Sequence, residues 1–298
     1  MLKRRGRLKA YTTFDYVNIF IFLILIVIMV FPFWSVVMTS LVTEHEFYNR
    51  GVILWPQDPT IKWYQFIFAS DKLLRSFFVT TGVTLLGTLY SLTVTTTLSF
   101  GLSKKTLPGR GIFLTLIIIT MFFGGGLIPY YMLIRSLGLV NSFWVMVLPT
   151  GINVWYFTLI KAFFNQIPES LEESAKIDGA SEIVIFLRIV LPVSTPVLAT
   201  FALFYGVSYW NQYYSALLFI NNDKLYPLQL ILRKIIVQNE RLSDMAQGFG
   251  AAFGGRQTIF EEGVKMATVV VATGPILLVY PFLQRYFVKG IMLGSIKG

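Results

Sequence analysis

The apolar positions of this chain neither alternate nor keep to one helical face. They run together in long blocks separated by short polar stretches. A hydrocarbon core about 30 Å thick takes roughly 20 apolar residues in a helix. Six blocks approach or exceed that length: residues 17–38, 77–101, 111–134, 143–160, 192–219 and 264–287. Many of their residues are Val, Ile and Thr, types that favour strands. In lipid, however, backbone N–H and C=O groups must be paired within the segment, so all six are expected to be α-helices. Glycine and proline interrupt two of them, in "MFFGGGLIPYY" (121–131) and "ATGPILLVYPF" (272–282). Kinks are expected there, tolerated where neighbouring helices or a water-lined path re-pair the backbone.

The polar stretches set the orientation. The chain starts "MLKRRGRLK", with no acid before Asp15, and the connection "SKKTLPGR" after the second block holds Lys104, Lys105 and Arg110 with no acid at all. The connection after the third block has Arg135 alone. The positive-inside rule places the start and the 104–110 loop in the cytoplasm, and an even number of spans brings the C-terminus there too. The first block is longer than a signal-peptide core and no small-x-small site follows it, so it is expected to stay as the first span. The layout is a basic cytoplasmic start (1–16), a first span with an external loop (17–76), a core of five spans (77–287) and a cytoplasmic tail (288–298). The longer external stretches are 39–76 and 220–263.

Composition narrows the chemistry. Of 298 residues, 55% are apolar and 13% charged, against about 25% charged in ordinary soluble domains. The fold class is therefore an all-α polytopic membrane protein. There is no cysteine and a single histidine, His45, which removes disulfide frameworks, thiolate metal sites and multi-histidine motifs. The net charge of +10 comes from basic residues flanking apolar spans, as topology requires, and does not point to nucleic acid. "GFGAAFGGR" (248–256) looks like a phosphate loop but lacks the Gly-Lys-Ser/Thr ending and a preceding buried strand. An external loop is the expectation there.

One polar stretch departs from the rest. Residues 169–182 hold five of the fifteen acids, Glu169, Glu172, Glu173, Asp178 and Glu182. The pattern predicts two short helices joined by a turn. Pro168 suits a first helical position, and the acids that follow oppose the positive helix end. Glu172 and Lys176 are spaced as an i,i+4 pair. Gly179 is the natural stop, since glycine accepts a left-handed backbone at little cost, and Ser181 is a plausible cap for the second helix. Small residues at Ser174, Ala175, Gly179 and Ala180 leave room for another surface to approach. A solvated linker between two spans satisfies the composition equally well.

The detailed spacing resembles a known signature. Glu173-Ser174-Ala175-x3-Gly179-x9-Ile189-x-Leu191-Pro192 is similar to the "EAA" motif of ABC importer permeases, with Ser174 where a second alanine is usual. The resemblance covers most of the chain from about residue 77. "FFGGGLIPYYMLIRSLGLVNSFWVMVLP" (122–149), "YWNQYYSALLFI" (209–220), "YPLQLILR" (226–233) and "QRYFVKGIMLGSIKG" (284–298) resemble the shorter permease of carbohydrate-uptake type 1 importers that take complex oligosaccharides, including uronate-containing ones. It implies the type I importer permease (MetI-like) fold in a bacterial cytoplasmic membrane.

It also implies an assembly: a second permease subunit, two cytoplasmic ATPase subunits that bind ATP and Mg, an extracytoplasmic solute-binding protein and a carbohydrate substrate. No cofactor is expected in this chain itself. Residues 166–192 would form the coupling segment. Glu173 would meet a basic group on the ATPase, Ser174, Ala175, Gly179 and Ala180 would fit closely against it, and Asp178 would shape the turn. For the sugar path, "FYGVSYWNQYY" (204–214) offers Tyr205, Tyr209, Trp210, Asn211 and Gln212, because aromatic faces stack on sugar rings while amides bond hydroxyls. The competing roles are interfacial anchoring, for Tyr213 and Tyr214 above all, a different solute, or a secondary transporter working without an ATPase. The last predicts ionisable groups within the spans, and Lys265 at the edge of the sixth is the nearest to one.

Overall fold

The computed structural model describes residues 12–237 and 260–295, and every regular element among them is helical. The basic start, the glycine-rich 248–256 stretch and the final three residues lie outside the described residues. Helix α1 (Thr13–Thr39) opens with a capping box in which Thr12 and Asp15 satisfy each other's backbone donors. Its long apolar middle is exposed all round, an arrangement that suits lipid. Two short helices, α2 (Glu44–Asn49) and α3 (Lys62–Ala69), fill the first long loop. Glu46 organises that loop. Its carboxylate accepts from the backbone N–H groups of Gln57 and Asp58 and from Arg50 at 2.7 Å. The Gln57 N–H first, then Asp58 and Arg50, hold its pKa below the usual carboxylate range.

Helix α4 (Asp71–Ser103) is the axis of the bundle. It begins earlier than residue 77 because Ser70 ends α3 and Asp71 places an acid in the new first turn. Thr80, Ser91, Thr95 and Ser99 are buried, and Thr84 and Thr88 continue the same stripe at spacings of three and four. That stripe packs on α7 (Val154–Phe164), α11 (Thr195–Trp210) and α13 (Leu228–Val237). Four of its hydroxyls bond those helices, while those of Thr84 and Thr88 are buried without a partner. Ser91 pairs with the Tyr209 hydroxyl and Thr95 with that of Tyr205, both at 2.8 Å. Ser99 donates to the Phe157 carbonyl, and Thr80 accepts from Leu228 N–H.

Three of the six expected blocks depart from single helices. Residues 111–134 form α5 (Arg110–Phe122) and α6 (Leu127–Ser136), bent by 120° at the glycine triplet, where Gly126 has φ +82°. The expected kink is a complete break. Block 143–160 is a 3₁₀ turn (Phe143–Met146), an irregular stretch, and only then α7. Pro149 and Gly151 interrupt it, and the Asn153 side chain accepts from Tyr156 N–H, which starts the helix there. Block 192–219 is α11 and α12 (Tyr214–Phe219), and α11 meets the preceding helical piece at 82°. By contrast "ATGPILLVYPF" stays inside one helix, α14 (Glu261–Ser295), which carries Pro275 and Pro281. Three helices, α1, α4 and α14, are long and apolar enough to cross a membrane, and five crossings result if each bent pair counts as one.

One close approach in the bundle depends on glycine. A Cβ on Gly87 would lie 2.6 Å from the Tyr209 ring, so any larger residue displaces the tyrosine from Ser91. Gly87→Val is expected to destabilise the chain by about 1–3 kcal/mol. The measurement is the thermal midpoint in detergent against Gly111→Val, where an added Cβ meets nothing. Equal midpoints would mean that the ring yields freely.

Candidate functional sites

The acidic segment folds as two helices around a turn. Helix α8 (Glu169–Ile177) follows Pro168, which takes the capping position one residue before the expected first helical place. Gly179 has φ +80°. Its N–H donates to the Lys176 carbonyl at 3.0 Å and the Ala180 N–H to the Ala175 carbonyl at 2.9 Å. This is the paired bonding of a Schellman stop, the reason glycine is needed there. Ser181 takes the cap position of α9 (Glu182–Ile185) without a side-chain cap bond. A π turn (Phe186–Val190) and α10 (Leu191–Val193) continue it to the bend at Ser194. Pro192 has no N–H to give, and Leu191 N–H reaches five residues back to Phe186.

The expected Glu172–Lys176 pair is replaced by longer-range ones. Lys104, the residue capping the C-terminus of α4, pairs with Glu172 and lies 3.6 Å from Glu182. Lys105 bonds Glu169 at 2.9 Å, and Lys176 bonds Glu182 at 2.7 Å. Lys104 also stands 4.3 Å over the Phe100 ring, which packs against Phe186 at 4.8 Å between centroids. Both ends of the segment are thus tied to α4. Ala175 and Ala180, expected on a docking face, are half-buried against the chain's own core with Ile160, Phe164 and Ile185. Glu173, Ser174, Asp178 and Gly179 are exposed, and Glu173 makes no ion pair among the described residues. Beside them stand Ile177, 87% exposed, and Ile183, 70% exposed. Two bare isoleucines flanking an acid and a glycine turn form a surface suited to a partner.

The second site lies around the bend between α11 and α12. A cavity of about 510 Å³ is lined by Tyr156, Tyr205, Tyr209, Asn211, Gln212, Tyr213 and Tyr214 together with Thr150, Asn153 and others. Of the five residues proposed from sequence, four line it. Tyr205 and Tyr209 are buried and held through their hydroxyls to α4, to Asn153 N–H and to the Val147 carbonyl. Asn211 accepts from Gln229 at 3.2 Å, and Gln212 donates to Ser215 while its Oε1 is buried without a partner. Trp210 does not line it. Its Nε1–H donates to the Ala272 carbonyl at 2.7 Å and its ring meets Phe77 edge-on, so it joins α11 to α14. Tyr156 and Asn153 were missed; only the break before α7 brings them to the cavity.

The chain is thus a helical bundle with an outward acidic turn at one place and an aromatic–amide cavity at another. Residues 106–293 match the family model for the binding-protein-dependent transport system inner membrane component, and the chain belongs to that family. It is 43% identical over 290 residues to Protein LplC of Bacillus subtilis (strain 168), covering 97% of each. It is also 43% identical over 271 residues to the polygalacturonan/rhamnogalacturonan transport system permease protein YtcP of the same organism, covering 91% of this chain and 93% of that one. Among solved structures it shares its fold with a chain of a bacterial ABC transporter involved in the import of the acidic polysaccharide alginate. The TM-score is 0.85 at 28% identity, over 93% of this chain and 99% of that chain.

The Lys176–Glu182 bridge closes the turn and makes its order pH-dependent. The Lys176 bond lowers the Glu182 pKa, and the Glu182 bond raises that of Lys176. A lowered carboxylate contributes stability above its unfolded pKa and loses it as pH falls through the folded one. A raised lysine contributes below its unfolded pKa and loses it as pH rises through the folded one. The turn is therefore expected to be most protected between the ordinary carboxylate and lysine ranges. Hydrogen exchange of 178–182, corrected for intrinsic rates, should rise below and above that window in wild type and be raised within it in Glu182→Gln. Identical protection in the two would show that the bridge does not order the turn.

Proposed function

We propose that this chain is one of two transmembrane subunits of an ATP-driven importer for an oligosaccharide with uronate units, and that residues 166–192 couple it to the ATPase. The observation that carries the coupling role is the geometry of the segment. It is anchored to the end of α4 through Lys104 and Lys105 while Glu173, Ser174, Ile177, Asp178 and Gly179 face outward. Ala175 and Ala180 support that surface from within, filling the core beneath the turn. A basic group on the ATPase opposite Glu173 would gain a charge-assisted contact, which costs several-fold to many-fold in binding when one partner is removed.

Family membership and the names of the relatives support carbohydrate as the cargo. YtcP is named for polygalacturonan and rhamnogalacturonan, and the solved importer for the acidic polysaccharide alginate. The implied partners are a second permease, two ATPase subunits that hold ATP and Mg, and a solute-binding protein reaching the external loops. Six crossings with both termini in the cytoplasm fit the chain if α7 completes the fourth with the irregular stretch before it. In that topology α1, the α5–α6 pair, the α9–α11 pair, α4 and α14 supply the rest. The sugar would pass the cavity at the α11–α12 bend. Its tyrosines suit stacking, and Asn211 and Gln212 can exchange bonds with hydroxyls.

Glu173 and Gly179 are the outward positions that test the coupling role. A Cβ on Gly179 would meet nothing within 4 Å, so Gly179→Asp adds bulk and charge only on the outward face, at the cost of some strain from its positive φ. Glu173→Lys and Gly179→Asp are each expected to abolish sugar-stimulated ATPase activity of the assembled importer, with the chain still inserted in the membrane. Full stimulation in either variant would remove the coupling role from this segment.

A further inference from the structure

Helix α13 carries a cation, Arg233, that has no carboxylate partner among the described residues. The guanidinium carbon of Arg233 lies 5.5 Å from the centre of the Tyr213 ring. Its Nη1 is shielded from solvent and has no hydrogen-bond partner. Arginine stays charged at any physiological pH and presents five N–H donors in a fixed plane. Withdrawing such a group from water without an anion is unfavourable, so an unpaired, partly buried guanidinium is suited to receiving one.

The position of Arg233 says which anion. One helical turn earlier, Gln229 donates to the Asn211 side chain at 3.2 Å, fastening this face of α13 to residues 211–213. Asn211, Gln212 and Tyr213 all line the aromatic–amide cavity. Gln212 Oε1, buried and unpartnered, is a spare acceptor for a hydroxyl in the same wall. Arg233 does not itself line the cavity; its guanidinium stands against Tyr213, whose ring is part of the wall. Contact with the Tyr213 ring holds its plane in place, and the two parallel N–H groups of the fork match the two oxygens of a carboxylate.

We propose that Arg233 is the residue that selects acidic sugars, binding the carboxylate of a uronate unit as the oligosaccharide passes the α11–α12 cavity. This rests on the reading of the chain as an oligosaccharide permease. A neutral unit in the same position would leave the guanidinium unpaired, and that difference is the basis of selection. Lysine at this position keeps the charge but loses the two-point match, so it retains part of the function, while glutamine removes the charge.

The test uses the complete importer, with its binding protein and ATPase, in proteoliposomes, with trigalacturonate and its methyl ester as probes. Arg233→Gln is expected to lower trigalacturonate uptake at least about tenfold, and Arg233→Lys by no more than about threefold. Uptake of the neutral ester relative to the acid should rise in Arg233→Gln. Wild-type uptake of trigalacturonate by Arg233→Gln overturns the inference. Equal loss in the lysine and glutamine variants also overturns it, because the side chain then acts through shape rather than charge. A wild-type importer that moves only the ester overturns the Arg233 assignment alone. One that moves neither probe refutes the oligosaccharide reading and, with it, the role of Arg233.

Discussion

The bundle depends on the polar stripe of α4 finding partners away from lipid. Buried hydroxyls in a hydrocarbon environment are unfavourable unless bonded, and here Tyr205 and Tyr209 of α11 take two of them while α7 and α13 take two more. Those bonds set the rotation of α11 about its own axis. With both tyrosine hydroxyls pointed at α4, the next residue, Trp210, turns to α14 and Asn211 and Gln212 turn to the cavity. Gly87 lets Tyr209 come close enough for the bond to form. The aromatic–amide wall is therefore a by-product of how α4 satisfies its own polar groups.

The same helix governs the other end. Lys104 and Lys105 follow its last turn and gather Glu172, Glu182 and Glu169 from the acidic segment. Most of these side chains are partly exposed, and single ion pairs of that kind contribute little to stability. Their effect is orientation: they fix which acids remain for a partner. Glu169, Glu172 and Glu182 are occupied, and Glu173 and Asp178 are left. The apolar half of the segment is divided likewise, with Ile185 in the core and Ile177 and Ile183 in the open.

Much of this was readable in one dimension. Three long spans declare themselves by apolar length, because lipid leaves a helix no alternative. The turn at Gly179 was readable for a local reason: the left-handed backbone it adopts is one that few other residues accept. The 143–160 block misled because an apolar count ignores Pro149, Gly151 and the capping side chain of Asn153, which delay the helix. What lay beyond reach were partners far apart in the chain. Lys104 and Glu172 are 68 residues apart and Ser91 and Tyr209 118, and no periodicity links them. The i,i+4 spacing offered Lys176 to Glu172, and tertiary geometry supplied a better cation. Arg233 sat unremarked within "YPLQLILR", since an unpaired charge becomes visible only once its surroundings are known.

The ties at the end of α4 have a mechanical consequence. At about 1.5 Å per residue, a helix of this size is a rod about 50 Å long. It is gripped near one end by the acidic segment and along its middle by the cavity tyrosines. A stiff rod held this way acts as a lever, and a tilt of about 5° about its lysine end sweeps the far end through about 4 Å. The tyrosine-bonded hydroxyls of Ser91 and Thr95 lie about 20 and 14 Å from the lysine end and would move by about 1–2 Å, enough to strain bonds that are 2.8 Å long.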